Sequence, residues 1–371
     1  TCMKLVIFGL SVSSAWGNGH ATLWRGLFRS LARFGYCVHF FEKDTPYYSA
    51  HRDACSVAGA RIHYYSDWQQ VRAEARRELD DADIGMTTSY CPDGAVAAEL
   101  VWESNARRSA YYDLDTPVTL SKLSQGEAIR YLPHYGLGNF DLVLSYTGGQ
   151  ALVELRDRLG AKRVAPLYGC VDPDVHCPRS SCEAFASDLS YLGTYAPDRQ
   201  AKLEELLLRP AELLPNARFV LAGAMYPPSL AVTPNVQRFE HIVPGRHADF
   251  YSSSRITLNL TRGSMAEKGY CPSGRLFEAA ACGSAILSDW WPGLDQFFAP
   301  GEEILIADSR EDSCRAVLTD EADLARIASR ARERTLACHT AAVRAAELND
   351  LLESCLNVDT NESVCELAGG A

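Results

Sequence analysis

The segment PSGRLFEAAACGSAILSDWWPG, residues 272–293, indicates the fold of this chain. The stretch between Ser273 and Gly283 predicts a short helix, because serine is a good N-cap and glycine a good C-terminal stop. The run SAILSD follows at once, and its lack of alternation predicts a buried strand. Helix, glycine and buried strand in succession are typical of a parallel α/β sheet. Glu278 and Asp289 are the carboxylates of this unit, and both require an explanation.

The same alternation of strand and helix fills the chain in two halves. KLVIFGL (4–10) and CVHFFEKD (37–44) are apolar runs of the first half. A polar segment with prolines, 171–183, reads as a linker, and RFVLAGA (218–224) belongs to a second series of the same kind. Such alternation predicts parallel sheets covered on both faces. We therefore predict an α/β protein with two Rossmann-like doubly wound domains facing a cleft. The predicted divisions are 1–170, 171–345, and 346–371 for a C-terminal helix and frayed tail.

Composition limits the possible partners. The chain has 371 residues, 47% of them hydrophobic and 22% charged, and its net charge is −11. Without a basic run, this charge argues against a nucleic-acid partner. The first apolar run, about seven residues, is too short for a secretion signal or a bilayer span, so we expect a cytoplasmic protein without a membrane span. The 13 cysteines are scattered and form no C-x-x-C pair. They predict buried thiols and no metal site.

Loops that follow strands hold the first candidate site residues, because ligands of doubly wound sheets bind beyond the carboxyl ends of the strands. Gly17 and Gly19 lie in the first of these loops, where free backbone N–H groups and a helix start suit an anion. His20 stands at the helix entrance and is a candidate acid or base, or a surface residue. Glu42 ends the second strand and imitates the acidic residue of a dinucleotide site. The G-x-G-x-x-G pattern is absent, which weakens that interpretation.

A further strand of the first half ends in YYDLDTP, residues 111–117. Asp113 and Asp115 could hold a divalent cation through their oxygens. Because residues alternate across a strand, the two side chains could equally face opposite ways. Asp115 suits a turn, and Asp113 is a candidate base.

The second half offers cations beside helix starts. GTYAPDRQAK (193–202) contains Gly193, Thr194, Arg199 and Lys202, and a later loop contains Arg262 and Arg275. Cations next to a helix N-terminus suit a diphosphate, although a solvated helical turn would have the same composition. Glu278 could accept hydrogen bonds from sugar or ribose hydroxyls. Its alternative is an ordinary surface pair with Arg275, three residues earlier.

The segment GRLFEAAACGSAILSDWWPGLDQFFAPGEEILIA resembles the donor-binding segment of GT-B glycosyltransferases of the group 1 type. VHFFEKDTPYY, YYDLDTPVTL and FDLVLSYTGG resemble the CgeB-like (spore maturation protein) branch of that group. The resemblance covers roughly residues 3–345 by this comparison of motifs. It implies that the second domain binds a nucleotide-diphosphate sugar and the first domain binds the acceptor. It also implies that no cofactor and no metal is needed.

The resemblance assigns roles to individual positions. Glu278 matches the glutamate that binds the ribose, and Tyr270 stands where retaining relatives carry a second glutamate. Ser273 caps the same helix. His241 and Val243 match the stretch that lines the base. The cations matched loosely to the diphosphate are Arg199 and Lys202, with Arg262 and Arg275 as competitors. His20 and Asp113 are the candidates for the catalytic base.

Three other functions fit the same two-domain plan. An NAD-dependent oxidoreductase would need the glycine pattern that is absent. A sugar-nucleotide epimerase would act without an acceptor. A catalytically inactive nucleotide-sugar-binding module would keep the fold alone, and Tyr270 slightly favours it. The acceptor could be a small molecule, a glycan, a protein or a modified nucleobase.

Overall fold

The computed structural model describes residues 2–357 and divides into two compact α/β units. The first unit runs from the N-terminus to Tyr168 and resumes at Ala341, and the second spans Gly169–Thr340. The change at Tyr168 lies close to the division predicted between residues 170 and 171. The tail expected to fray, from residue 358 onward, lies outside the described residues.

The first unit contains one parallel sheet. Its strands are β1 (Met3–Gly9), β2 (Tyr36–Lys43), β3 (Ala60–Tyr65), β4 (Ile84–Thr88), β5 (Arg108–Asp113), β6 (Leu142–Ser145) and β7 (Val164–Pro166). They lie in the order β3-β2-β1-β4-β5-β6-β7. All pairs are parallel, and the central strands are buried along nearly their whole length. Burial on both faces explains why these strands lack polar alternation.

Six helices connect these strands. They are α1 (Gly19–Arg33), α2 (Pro46–Ser49), α3 (Trp68–Asp80), α4 (Gly94–Glu103), α5 (Thr116–Ser124) and α6 (Gln150–Leu159). α1 and α3 carry an apolar stripe that packs on the sheet, as their sequence periodicity predicts. α4 and α5 are short and follow polar loops, and sequence periodicity gave no indication of them.

The second unit repeats the arrangement. Its strands are β8 (Ser187–Leu192), β9 (Phe219–Ala222), β10 (Val236–Phe239), β11 (Ser254–Asn259), β12 (Ala285–Ser288) and β13 (Leu305–Ile306), in the order β10-β9-β8-β11-β12-β13. Its helices are α7 (Pro197–Leu203), α8 (Arg209–Leu213), α9 (His247–Ser252), α10 (Gly263–Lys268), α11 (Gly274–Ala281), α12 (Arg310–Val317) and α13 (Glu321–Cys338). A π-helical turn, Glu204–Leu208, joins α7 to α8.

In both sheets, successive strands are added first on one side of the first strand and then on its other side. In the first unit the strand order turns between β1 and β4, and in the second it turns between β8 and β11. The loops that leave such neighbouring strands diverge and open a crevice at the carboxyl edge, where ligands of doubly wound sheets bind. The residues that follow these four strands are therefore the ones placed to bind a ligand.

The chain returns to the first unit through α14 (Ala341–Leu356), which packs on α1. Leu348 and Leu352 are fully buried. The Tyr36 hydroxyl donates to Asn349 Oδ1 at 3.1 Å. The sequence predicts a C-terminal helix from residue 346, whereas α14 begins at Ala341 and belongs to the first unit. Among the described residues, no helix combines the length and the apolar character that a membrane crossing requires.

A disulfide joins Cys2 to Cys37. The expectation of reduced thiols is therefore wrong for this pair. β1 and β2 are parallel neighbours, and Lys4 is paired with Cys37 in their register, which brings Cys2 beside the start of β2. Sequence spacing could not show this, because strand adjacency is a tertiary property.

Candidate functional site: an arginine cluster and a buried carboxylate network

Three arginines gather at the carboxyl edge of the second sheet. Arg275 donates from Nε to the Leu192 carbonyl at 2.7 Å and from Nη1 to Asn259 Oδ1 at 3.1 Å. Arg199, in the first turn of α7, donates from Nη2 to the Thr194 carbonyl at 2.6 Å. Arg262 precedes α10, and its Nε lies 3.5 Å from an Asp198 carboxylate oxygen. The loops after β8 and β11 thus deliver the cations that the sequence predicted.

The charge of Arg199 is poorly compensated. Its Nε is buried and has no hydrogen-bond partner. Burial lowers the pKa of Arg199, and repulsion from Arg275 and Arg262 lowers it further. A desolvated guanidinium beside two like charges is costly for the folded protein unless an anion binds there. The cluster is therefore built for an anion that can accept several guanidinium hydrogen bonds.

Lys202 differs from the arginines. Its Nζ contacts Asp289 Oδ2 at 2.5 Å, and Asp289 also accepts from the Thr261 backbone N–H and hydroxyl, both at 3.0 Å. The positive charge of Lys202 is therefore already neutralised. Asp289 holds the loop after β11 in place, which explains the carboxylate at the end of β12.

Glu278 is not paired with Arg275. Ser273 caps α11 by accepting the Arg275 backbone N–H at 3.3 Å, as predicted. Glu278 Oε2 accepts from the Tyr251 hydroxyl at 3.3 Å. Its carboxylate also faces His176 and His247, and the nearest ligand atoms of the three residues lie within 4.8 Å of one another. Because it is half-buried and has only the tyrosine as a hydrogen-bond donor, the carboxylate can accept further hydroxyl donors.

Sequence reasoning missed His176. It lies in the segment that reads as a linker, and only 3% of its surface is exposed. Its Nδ1 is buried without a partner. A histidine in a Pro-containing polar stretch gives no sequence signal of burial, so only the folded chain reveals it.

Gly193 and Thr194 leave β8 at the same edge. The Tyr226 hydroxyl donates to the Gly193 carbonyl at 3.0 Å. Gly223, at the end of β9, has φ +145°, and a Cβ there would lie 2.0 Å from the Gly193 carbonyl oxygen. Only glycine permits this approach of two post-strand loops.

The residues matched to the nucleotide base follow β10. His241 and Val243 are both exposed, and 51% of the Val243 surface is accessible. The chain between them places the Ile242 carbonyl 3.0 Å from His247 Nε2, which links this loop to the helix α9 beside Glu278. Tyr270 adopts φ +47°, and its backbone N–H donates to the Pro292 carbonyl at 2.8 Å.

In the first unit, the loop after β1 is bound to Glu42. The fully buried Glu42 carboxylate accepts from the Ser11 hydroxyl at 2.8 Å and from the Val12 backbone N–H at 2.8 Å. It also accepts from the backbone N–H and hydroxyl of Ser13, at 3.1 and 2.5 Å. Its oxygens are therefore engaged within the protein and are not available to bind a ribose. This arrangement counts against the dinucleotide interpretation.

Gly17 and Gly19 lie further along this loop and are exposed. Gly17 has φ +57°, and Gly19 is the first residue of α1. His20 follows in the first helical turn, half-buried, with Nδ1 buried and without a partner. Burial lowers the pKa of His20 to about 4, so its imidazole is neutral near pH 7.

Tyr90, which sequence reasoning did not select, connects His20 to the two aspartates. Its ring centroid lies 5.9 Å from that of His20, and its hydroxyl donates to Asp115 Oδ2 at 2.7 Å. The Asp115 backbone N–H donates to Asp113 Oδ1 at 3.0 Å. Tyr90 has φ +62°, a left-handed conformation that is uncommon for a bulky residue and is found at functional sites. His20 and Tyr90 thus follow the strands β1 and β4, and Asp113 is the last residue of β5. These three strands are neighbours in the sheet.

Asp113 is fully buried, and its Oδ2 has no hydrogen-bond partner. Burial raises the pKa of Asp113 to about 7. The Asp113 side chain closes an Asx-turn by accepting the Asp115 backbone N–H. Asp115 in turn orients Tyr90. A carboxyl with such a pKa exchanges a proton near neutrality.

We expect the Asp113→Asn variant to show the cost of this burial. The unfolded chain loses the Asp113 proton near its ordinary pKa of 3.8, whereas the folded protein keeps it up to about pH 7. The folded state therefore binds more protons across this range, and its stability falls as pH rises from about 4 to 7. Asp113→Asn should be more stable than the parent by about 4 kcal/mol at pH 8 and nearly equal at pH 4. Denaturant unfolding at both pH values measures this. A variant that is less stable at pH 8 than at pH 4, relative to the parent, would contradict it.

Comparison with known proteins agrees with this geometry. Residues 199–350 match the family described as glycosyl transferase-like. No curated protein matches the chain in sequence. The fold is similar to sucrose-phosphate synthase from Thermosynechococcus elongatus, with 15% identity, a TM-score of 0.66, and coverage of 95% of this chain and 98% of that one.

Two other solved structures are similar over the same extent. HepE of Anabaena, in complex with UDP-glucose, has 13% identity and a TM-score of 0.65, with 95% of this chain and 100% of that chain covered. An alpha-glucosyltransferase in complex with UDP-glucose and DNA containing an abasic site has 13% identity and a TM-score of 0.70, with the same coverage. At these identities the likeness establishes the fold, which confirms the predicted GT-B architecture. The chain thus has the GT-B fold, and its residues 199–350 match a glycosyl transferase-like family.

Proposed function

We propose that the protein transfers a sugar from a uridine-diphosphate sugar to a nucleophile of an unidentified acceptor, with the donor held by the second unit. The observation that carries this proposal is the buried, unpartnered guanidinium nitrogen of Arg199 beside Arg262 and Arg275. A diphosphate supplies the negative charge and the oxygens that this cluster lacks. UDP is the nucleotide in the structures of HepE and of the alpha-glucosyltransferase, which supports the choice of uridine.

The chemistry follows from where charge develops. When the anomeric C–O bond breaks, the electron pair stays on the diphosphate, and the sugar acquires oxocarbenium character. Preorganised cations stabilise that growing negative charge without the reorganisation that water would need. Arg199 and Arg275 perform this task in our proposal, with the N-terminus of α7 adding backbone N–H groups. This arrangement supports a metal-independent reaction.

Glu278 binds the ribose in our proposal. Its carboxylate has an unoccupied acceptor position beside Tyr251 and accepts the two ribose hydroxyls. His241 and Val243 then lie where an exposed loop can contact the base. Gly193 and Thr194 bring backbone groups to the diphosphate.

The acceptor binds to the first unit in our proposal, and His20 contacts its nucleophile. His20 is half-buried and neutral, so it can accept a proton, whereas Asp113 is fully buried and acts by holding Asp115 and Tyr90. The rate should then be flat between pH 6 and 8, since the pKa of His20 is about 4. A fall in rate below pH 7 would assign the base to Asp113 instead.

The finer assignments belong to the same proposal. The motifs of the first half support a place in the CgeB-like branch. The net charge of −11 supports an acceptor other than nucleic acid, although the alpha-glucosyltransferase of similar fold was solved with DNA. The free thiols of most of the described cysteines support a cytoplasmic location.

A panel of nucleoside diphosphates tests the donor site. Thermal unfolding is measured without metal, with UDP, GDP, CDP, ADP and TDP each in large excess. We expect UDP to stabilise the protein by about 2.7 kcal/mol at a hundred times its dissociation constant. Glu278→Gln should weaken UDP binding about 10- to 100-fold, because it removes charge-assisted bonds to the ribose. Glu302→Gln, an exposed glutamate of the same unit, is the control and should leave binding unchanged.

Binding and activity assays of the unmodified protein distinguish the alternative functions. If NAD stabilised the protein and none of the nucleoside diphosphates did, an oxidoreductase would be favoured. Conversion of a UDP-sugar into its epimer without an acceptor would favour an epimerase. UDP binding without hydrolysis or transfer of any UDP-sugar would favour an inactive binding module.

A further inference from the structure

A second cluster of polar groups lies at the edge of the first sheet. His39 is on β2 and His63 is on β3, the edge strand, which is paired with β2 in parallel. Glu74 and Glu78 lie one turn apart on α3 and therefore on the same face of that helix. None of these residues takes part in the sugar-transfer site.

The ligand atoms of this cluster are spaced for a single metal ion. His39 Nδ1 lies 3.0 Å from His63 Nε2 and 3.2 Å from Glu78 Oε2. Two ligand atoms bound to one tetrahedral Zn²⁺ at about 2.0–2.1 Å are about 3.3 Å apart. These two spacings need only a few tenths of an ångström of adjustment, and the ligand atoms of all three residues lie within 4.8 Å of one another.

His63 is already oriented as a metal ligand. Its Nδ1 lies 2.6 Å from Glu74 Oε1, and only 4% of its side chain is exposed. A carboxylate that accepts the Nδ1–H bond fixes the tautomer and leaves Nε2 with a lone pair. This carboxylate–histidine arrangement accompanies metal-bound histidines in general and increases their basicity.

Lys4 is the competing cation. Its Nζ lies 2.7 Å from Glu78 Oε2, and it also pairs with Asp81. An incoming ion would displace Lys4 from Glu78, and Asp81 would keep the ammonium paired. His39 would change to its Nε2–H tautomer, so that Nδ1 binds the ion without net release of a proton.

The cluster is open to solvent at two of its ligands, since 17% of the His39 side chain and 22% of the Glu78 side chain are exposed. Glu74 lines an open cavity of about 330 Å³, whose other walls include Asp44 and Asp67. These carboxylates lie on the Glu74 side of the cluster and raise the local concentration of divalent cations. Glu78 is partly exposed, which leaves room for water as a fourth ligand.

We propose that His39, His63 and Glu78 bind one divalent transition-metal ion of the zinc class, with Glu74 orienting His63. The ion joins the edge strand β3 and its neighbour β2 to α3. Its role is structural, since it ties an exposed sheet edge to the helix that covers it. The proposal does not depend on the proposed sugar transfer.

Calorimetric titration of chelator-treated full-length protein with Zn²⁺ tests this site. We expect one saturable ion per chain and a rise in melting temperature. His39→Ala and Glu78→Gln should each weaken binding at least 100-fold, and Glu74→Gln about 10- to 100-fold. Lys4→Ala should strengthen binding severalfold, because it removes the competing charge. This opposite sign separates ligation from a general loss of folding, which circular dichroism checks.

His247→Ala is the matched control. His176, His247 and Glu278 form the other cluster of ligand atoms found among the described residues, and an ion bound there would be lost in this variant. We expect the control to retain the affinity of the parent. Absence of saturable Zn²⁺ binding would overturn the proposal, as would binding that His247→Ala abolishes and His39→Ala preserves. If no saturable binding were found, the side chains of His39, His63, Glu74 and Glu78 would form only a chain of hydrogen bonds.

Discussion

Arg199→Met should lower kcat/KM with a UDP-sugar by about 100-fold, because it removes charge-assisted hydrogen bonds that strengthen as the diphosphate leaves. The methionine keeps the aliphatic stem and its packing. The melting temperature without ligand should not fall and should rise slightly, because the variant no longer buries an uncompensated charge next to Arg262 and Arg275. Steady-state kinetics and thermal unfolding measure both quantities.

Kinetics and thermal unfolding together distinguish a role of Arg199 in donor binding from a structural role. Stabilisation by UDP should nearly disappear in Arg199→Met. Arg209→Met is the control, since Arg209 is exposed and pairs with Glu212 at 2.9 Å in the same helical run. It should change neither the kinetics nor the response to UDP. A loss of ligand-free stability in Arg199→Met, with kcat/KM unchanged, would show that this arginine is structural and would remove the main support for the donor site.

Glu42→Ala should destabilise the protein by about 4 kcal/mol. It removes a buried carboxylate that receives four hydrogen bonds, and it leaves the Val12 and Ser13 backbone N–H groups buried without partners. Each unsatisfied buried donor costs about 1–3 kcal/mol. Since domains of this kind are stable by only about 5–15 kcal/mol, the loss should be evident in denaturant unfolding.

Glu42→Gln and Glu103→Ala complete this series. The glutamine keeps the shape but presents an amide N–H₂ to groups that are themselves donors, so we expect about half the loss. Glu103 forms an exposed pair with Arg72, and its removal should cost at most about 0.5 kcal/mol. If Glu42→Ala behaved like Glu103→Ala, the carboxylate would not be holding the loop after β1. Glu42 would then be available to a ligand again.

Much of the fold was predictable because local chemistry and tertiary fold agree. Each apolar run without alternation became a parallel strand, and Ser273, Gly283 and the short helix between them lie as predicted. The helix α4 was missed, since its apolar residues show no strong periodicity. The predicted linker 171–183 is part of the second unit, and it carries His176 into a buried position.

The candidate site could be predicted only in part. Post-strand position was sufficient to select Arg199, Arg275 and Glu278, because a parallel sheet brings the carboxyl ends of its strands to one edge. Position did not reveal which cation was neutralised: Lys202 pairs with Asp289, 87 residues away. Tyr90 gave no sequence signal, because its importance comes from a backbone conformation and from its contact with Asp115.

The sequence by itself determined the class of fold, the two-unit plan and the loops that carry the chemistry. These follow from hydrophobic periodicity and turn residues, which act over a few positions of the chain. Only the tertiary structure decided the charge state of each site. Burial raises the pKa of Asp113 to about 7, and burial together with neighbouring arginines lowers the pKa of Arg199. Desolvation and Coulomb energy depend on distances in space, and sequence spacing does not contain those distances.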